Sequence, residues 1–150
     1  MKIRTDYVTN SSSSSFILGF NSEEEIQNIA NQLPSYWAER VIEDIVSDIE
    51  RGVTSTEEAL ELYKDYLWPY SWKFHGKDYW EMNKEERELE EYKQFIEDMT
   101  NDVSDDLRKK LNEYSIISIV EYEDHTDLGS ELEHEIMPYL ECTIQRVSHH

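Results

Sequence analysis

Hydrophobic and polar positions along the chain fall into three stretches with different periods. Near the start, Phe16-Ile17-Leu18-Gly19-Phe20 is an unbroken apolar run bounded by turn formers, which predicts a buried strand. Lys2–Val8 alternates loosely and predicts an edge strand, with the serine run Ser11–Ser15 as the connecting turn. From Ile26 to Leu111 the apolar residues recur at helical spacing. After Ser115 the pattern changes again. Ser115–Tyr122 is rich in β-branched residues and predicts a strand. Leu128, Leu132, Ile136 and Leu140 mark one helix face that ends around Pro138, and Cys142–Val147 predicts a last strand. The expected class is α/β (α+β): one small mixed sheet from N- and C-terminal strands, with a helical middle segment packed on it. Residues 1–150 are expected to form a single acidic domain.

The helical middle carries its own start and stop signals. Ser22 with Glu25, Ser55 with Glu58 and Asn83 with Glu86 have the spacing of a capping box, in which each side chain serves the other's backbone N–H. Pro34 separates the first helix from a second that carries Trp37, Val41, Ile45 and Ile49, and Gly52 is expected to end that one in the left-handed conformation. The helix after Asn83 shows an inner stripe of Leu89, Tyr92, Ile96 and Met99. A break is expected near residues 101–104, before a short helix with Asp105 and Asp106 at its start and Lys109 and Lys110 at its end.

Composition adds a question of foldability. Apolar residues make up 38% of the 150 residues, below the roughly 45–50% usual for globular chains. Four Trp, ten Tyr and four Phe, against four Gly and three Pro, argue for a packed interior, because disordered segments are poor in large aromatics. The formal charge of −20 disfavours nucleic acid and anionic lipid, which need clustered Lys and Arg, and suits a basic protein partner. The plainer reading is that the acidity keeps a small domain soluble. No 18-residue apolar run exists, the first residues lack a secretory h-region, and the lone Cys142 can form no internal disulfide. A cytoplasmic location is the expectation.

The opening Met1-Lys2-Ile3-Arg4-Thr5-Asp6-Tyr7-Val8-Thr9-Asn10, followed by five serines and Phe16, resembles a group of small proteins of Firmicutes and their phages that share this start. The resemblance covers about the first 18 residues. It implies a bacterial or phage cytoplasmic origin and carries no activity with it.

Three constellations are candidates for chemistry. The first is the C-terminal set His134, Glu131, His149, His150 and His125. Imidazoles with carboxylates suit a divalent metal, and eight acidic residues with no Lys or Arg lie from Glu121 to Glu141. His134-Glu135 starts like a zinc-protease motif, but position 138 is Pro, so the second histidine is missing. A polar turn and a solvated helix face explain the same residues more simply. The second is Ser11, Ser12, Ser13 and Ser14, whose N–H groups and hydroxyls in a tight turn would cradle an anion beside Lys2 and Arg4. None of the glycine-rich phosphate-binding spacings is present, and a structural turn accounts for the run equally. Nucleophilic catalysis has little to rest on. GxSxG is absent and Cys142 sits in an expected buried strand.

The third constellation is the segment Trp68–Trp80, with six aromatics in thirteen residues. Trp68, Trp72, Phe74 and Trp80 are candidates for a partner-binding hot spot, against the alternative that the segment packs as a lid. The functional expectation is a non-catalytic acidic binding protein that engages a basic protein, such as an inhibitor of phage or mobile-element origin. The alternative is a metal-dependent enzyme or sensor using the C-terminal His and Glu residues. If the two chain ends meet at one sheet edge, the serine run, His149 and the carboxylates Glu131 and Glu135 would share a pocket.

Overall fold

The computed structural model describes residues 13–52, 54–123 and 127–149. Three strands build one sheet: β1 (Ser13–Phe20), β2 (Ile116–Glu123) and β3 (Thr143–His149), in the order β2-β1-β3. Both pairings of β1 are antiparallel, so among the described residues the sheet is antiparallel where a mixed one is expected. β2 and β3 run parallel to each other with β1 inserted between them. The strand–helix–strand unit of the C-terminal third is therefore split by the N-terminal strand. The expected edge strand Lys2–Val8 lies outside the described residues.

Phe16 faces Val120 on one side and Arg146 on the other, and this register puts side chains of β1 alternately into two cores. Phe16, Leu18 and Phe20, with Val120 and Tyr122, pack against α1 (Glu23–Gln27), the 3₁₀ turn Asn28–Asn31 and α2 (Ser35–Arg51). Leu132, Met137 and Leu140 close that core from the C-terminal segment. Ile17, Ile117 and Val147 pack on the other face against Ala59 and Leu60 of α3 (Thr56–Asp65) and Leu107 and Leu111 of α5 (Glu90–Leu111). Ile119 and Ile144 join this second core. A strand covered on both faces reads as an unbroken apolar run, which is why residues 16–20 do not alternate.

Several local expectations need correction. Ser13, Ser14 and Ser15 are strand residues and form no turn, because the ladder extends on both sides as far as Glu123 and His149. Their low strand propensity is overridden by pairing on two edges. Gly52 ends α2 with φ +151° and ψ 173°, a positive φ that favours glycine but lies outside the left-handed helical well. The expected break at residues 101–104 is absent. There Thr100 and Ser104 donate their hydroxyls back to the carbonyls of Ile96 and Thr100, at 2.7 Å each, and the helix runs on to Leu111. The break falls instead at Leu89 (φ −61°, ψ 136°), between α4 (Lys84–Glu88) and α5. Asp105 and Asp106 are thus mid-helix. The C-terminal helix is short, with α6 (Asp127–Glu131) passing into a π turn at Leu132–Ile136 and a 3₁₀ turn at Met137–Tyr139.

All three caps form, but of the three expected boxes only one is reciprocal. The Glu25 and Glu58 N–H groups donate to Ser22 and Ser55 at 3.2 and 3.1 Å, and Asn83 with Glu86 closes a complete box. Arg108 of α5 clasps the Glu57 carboxylate of α3 and holds its pKa below the usual range. No described helix is long and apolar enough to cross a membrane.

Against β3 the register shifts between Ile17 and Leu18, which pair with Gln145 and Thr143, so Ile144 is the extra residue. Its side chain turns onto Gly19. A Cβ added at Gly19 would meet Ile144 Cδ1 at 2.5 Å and the Tyr114 ring at 2.6 and 2.7 Å. Gly19→Ala is therefore expected to destabilise the fold by about 1–3 kcal/mol through overpacking. Urea denaturation reads this as a lower midpoint at unchanged slope, and an equal or raised midpoint would contradict the packing described.

Candidate functional site

The two ends of the described chain meet, because Ser13 and His149 are Cα partners in the ladder. Beside them three strands contribute one side chain each. His149 Nε2 lies 3.0 Å from Ser15 Oγ, and Nδ1 lies 3.3 Å from Glu121 Oε2. Tyr66, just past the end of α3, stacks on the imidazole at 4.0 Å with planes 5° apart. Strand parity explains the meeting: residues 15, 121 and 149 all point to the second face of the sheet.

These are the residue types of a Ser–His–carboxylate relay, yet the arrangement is a closed triangle. Glu121 Oε2 is also 3.4 Å from Ser15 Oγ. In a relay the carboxylate lies behind the imidazole, far from the nucleophile; here it competes with the imidazole for the same hydroxyl proton. Ser15 is 3% exposed and sits inside a ladder with a strand on each side. Among the described residues no turn there presents paired N–H groups to an oxyanion. The triangle orders the sheet end and the floor of a groove.

That groove holds about 790 Å³ and runs from the triangle across α2 and α3. Four carboxylates line it, from Asp44, Asp48, Glu58 and Glu121, together with Arg40, Arg51 and Tyr66. Asp48 is buried and fully engaged. Its Oδ2 accepts from Thr54 Oγ1, Ser118 Oγ and the Ile119 N–H at 2.9, 2.9 and 3.0 Å, and its Oδ1 from Arg51 at 2.7 Å. The Ile119 bond seals the outer edge of β2. Asp44 accepts from the Tyr122 hydroxyl at 2.7 Å and from Arg40 at 3.4 Å. Burial, with the Asp44 bond, pushes the Tyr122 phenol well above its ordinary range, so it stays a donor. Each arginine is thus committed to an aspartate, while Glu58 and Glu121 face solvent.

The other face of the sheet end holds a second cluster. Glu133 is fully buried and accepts from Ser14 Oγ at 2.8 Å, with Arg146 and His134 each at 3.5 Å. Arg146 also donates to Ser14 Oγ at 3.0 Å and covers the Phe16 ring. The sheet therefore divides the expected shared pocket: His134 belongs to this face and His149 to the opposite one. Glu131 turns to the Tyr36 hydroxyl at 3.4 Å, and His125 and His150 lie outside the described residues. Among the described residues no three His, Cys, Asp or Glu gather around one point. The anion cradle expected of Ser11, Ser12, Ser13 and Ser14 needs a turn. Ser13 and Ser14 are extended strand, and Ser11 and Ser12 lie outside the described residues.

The aromatic segment divides in two. Phe74 turns inward onto Tyr92 and Phe95 of α5, with ring centroids at 5.5 and 5.2 Å, and Trp72 is half-buried. Trp68 and Trp80 are 62% and 66% exposed, and both rings contact Tyr70, with centroids at 4.8 and 5.9 Å. Arg87 lies over Tyr79 at 4.2 Å and anchors the segment to α4.

Tyr66, Asp44, Asp48 and Glu58 escape a reading by motif, since they share no spacing and meet Glu121 and His149 only through the packing of α2 and α3 on the strands. Glu121 does leave a signal. It shares strand parity with Ile117 and Ile119, which places a carboxylate on the sheet face that carries the second core. Comparison of the chain with protein-family models, with curated proteins and with solved structures gives no match.

Asp48→Ala leaves the Ile119 N–H and two hydroxyls without their acceptor and is expected to cost about 2–4 kcal/mol. Urea denaturation measures it, and a loss within about 0.5 kcal/mol, the range of an ordinary surface change, would refute the sealing role. Cys142 just precedes β3, where burial pushes its thiol up to about 12. A folded-state pKa above the roughly 8.5 of a free thiol keeps it protonated at neutral pH. Iodoacetamide should alkylate native protein at pH 8 far more slowly than urea-unfolded protein, and equal rates would contradict the burial.

Proposed function

We propose that this chain is a non-catalytic acidic binding protein whose sheet-end groove takes basic side chains of a protein partner. The observation that carries the reading is the groove itself: Glu58 and Glu121 facing solvent around the Tyr66 ring, on a chain of formal charge −20. A Lys or Arg side chain entering there gains carboxylate partners and an aromatic surface for its cation. The summed negative field steers such a partner from a distance and repels nucleic acid. Trp68 and Trp80, exposed on the segment that follows Tyr66, supply apolar contact area of the kind that dominates binding hot spots. The closed Ser15–His149–Glu121 triangle argues against a hydrolytic use of the same residues. An inhibitor of a basic protein, working in a bacterial cytoplasm and encoded by the bacterium or a phage, matches the chain's charge and the resemblance of its opening residues.

Titration with an oligolysine peptide at low and high salt tests this reading. Affinity should fall steeply as salt rises, and Glu58→Gln with Glu121→Gln should weaken it by about tenfold at low salt. Glu85→Gln with Glu91→Gln, on α4 and the start of α5, should leave it within about twofold. Binding insensitive to salt, or equal loss in both double variants, would overturn the groove as the site.

A further inference from the structure

A second groove lies at the other end of the sheet, between α1, α2 and the start of β2, with a volume of about 390 Å³. Its floor is aliphatic: Ile26, Val46, Ile49 and Ile116. Its rim is anionic, with Glu23 and Glu24 from the first turn of α1 and Glu50 from the end of α2. Among the described residues no Lys, Arg or His lines it. The floor is a by-product of the core. Ile26 is buried in it, Ile49 and Ile116 pack on its edge, and Val46 sits one turn before Glu50 on the same helix face. The carboxylates are not spent on the fold as Asp48 is. The helix start is served by Glu25, whose carboxylate accepts the Asn21 N–H at 3.1 Å, while Glu23 and Glu24 remain exposed.

We propose that this groove docks a basic amphipathic segment of the partner, its aliphatic side chains entering between Val46 and Ile26 and its Lys or Arg side chains meeting the glutamate rim. The inference rests on the reading of a basic partner and adds the chemistry of a second contact. Charge complementarity selects the occupant. A second copy of this chain would bring a net charge of −20 against three carboxylates, and an anionic lipid surface would be repelled for the same reason. A purely cationic segment would leave the aliphatic floor unused. A helix presenting apolar residues at i, i+3 or i+4 and i+7 over a basic face satisfies both features.

Two synthetic peptides of equal charge separate the contributions: a lysine–leucine amphipathic peptide and its lysine–serine analogue. Calorimetric titration should give at least about tenfold tighter binding of the leucine peptide, as expected for a few buried aliphatic side chains. Val46→Asp should abolish that preference and leave the serine peptide unchanged. Glu23→Lys with Glu24→Lys, at exposed positions, should weaken the leucine peptide even where Val46→Asp disturbs the fold. Equal affinity for both peptides, or a preference that survives both sets of changes, overturns the docking groove. A change in sedimentation with Val46→Asp would assign the groove to a second copy and also overturn it. Loss of oligolysine binding in Glu58→Gln with Glu121→Gln, alongside an intact leucine preference, keeps the two sites distinct. Absence of salt-sensitive binding by either peptide condemns the reading of a basic partner itself.

Discussion

Everything in this small domain depends on one strand being buried on both faces and paired on both edges. β1 can give no polar group to solvent from Ser14 to Phe20, so each must find a partner inside the protein. Residues 16–18 and 20 meet the constraint by being apolar. Ser14 and Ser15 meet it by recruiting Glu133 on one face and His149 with Glu121 on the other. Those recruits in turn fix the C-terminal π turn, the last strand and the stacked Tyr66. The chain ends are held together as a consequence of satisfying two serine hydroxyls.

The same economy governs the acidic residues. Carboxylates with structural work are neutralised close at hand: Asp48 by an arginine, two hydroxyls and a strand N–H, Glu133 by Arg146 and Ser14, Glu57 by Arg108. Three arginines are engaged this way. Around the grooves, Glu58, Glu23, Glu24 and Glu50 keep their charge directed outward, and Glu121 faces solvent beside the His149 and Ser15 it also holds. A binding reading follows from that division of roles, because charge left over after folding is what a partner meets.

Much of the fold was legible in the sequence, and the reasons differ by element. Residues 16–20 and 115–122 announce themselves as strands because doubly covered or β-branched runs leave few other options. The helix starts at Ser22, Ser55 and Asn83 are local chemistry and therefore visible. Ser13–Ser15 were illegible as strand, since serine has no preference for it and the decision lies with neighbours over a hundred residues away. The break at Leu89 was hidden inside a continuous apolar stripe, and the continuity through residues 101–104 rests on hydroxyls that bond back along the helix. The candidate site was the least legible part. Its residues share no spacing, and expecting His134 beside His149 failed because a sheet stands between them. Parity along β2 was the one available clue, through Glu121.

Amide chemical-shift mapping tests the central claim most directly, because it locates contact on the intact protein without a substitution. During titration with oligolysine, saturable shifts should concentrate at Tyr66, Glu58, Glu121 and His149 and fade as salt is raised. Shifts spread evenly over the acidic helices, or confined to Glu85–Glu91, would show that the chain's charge acts only as a diffuse field and would contradict a built groove.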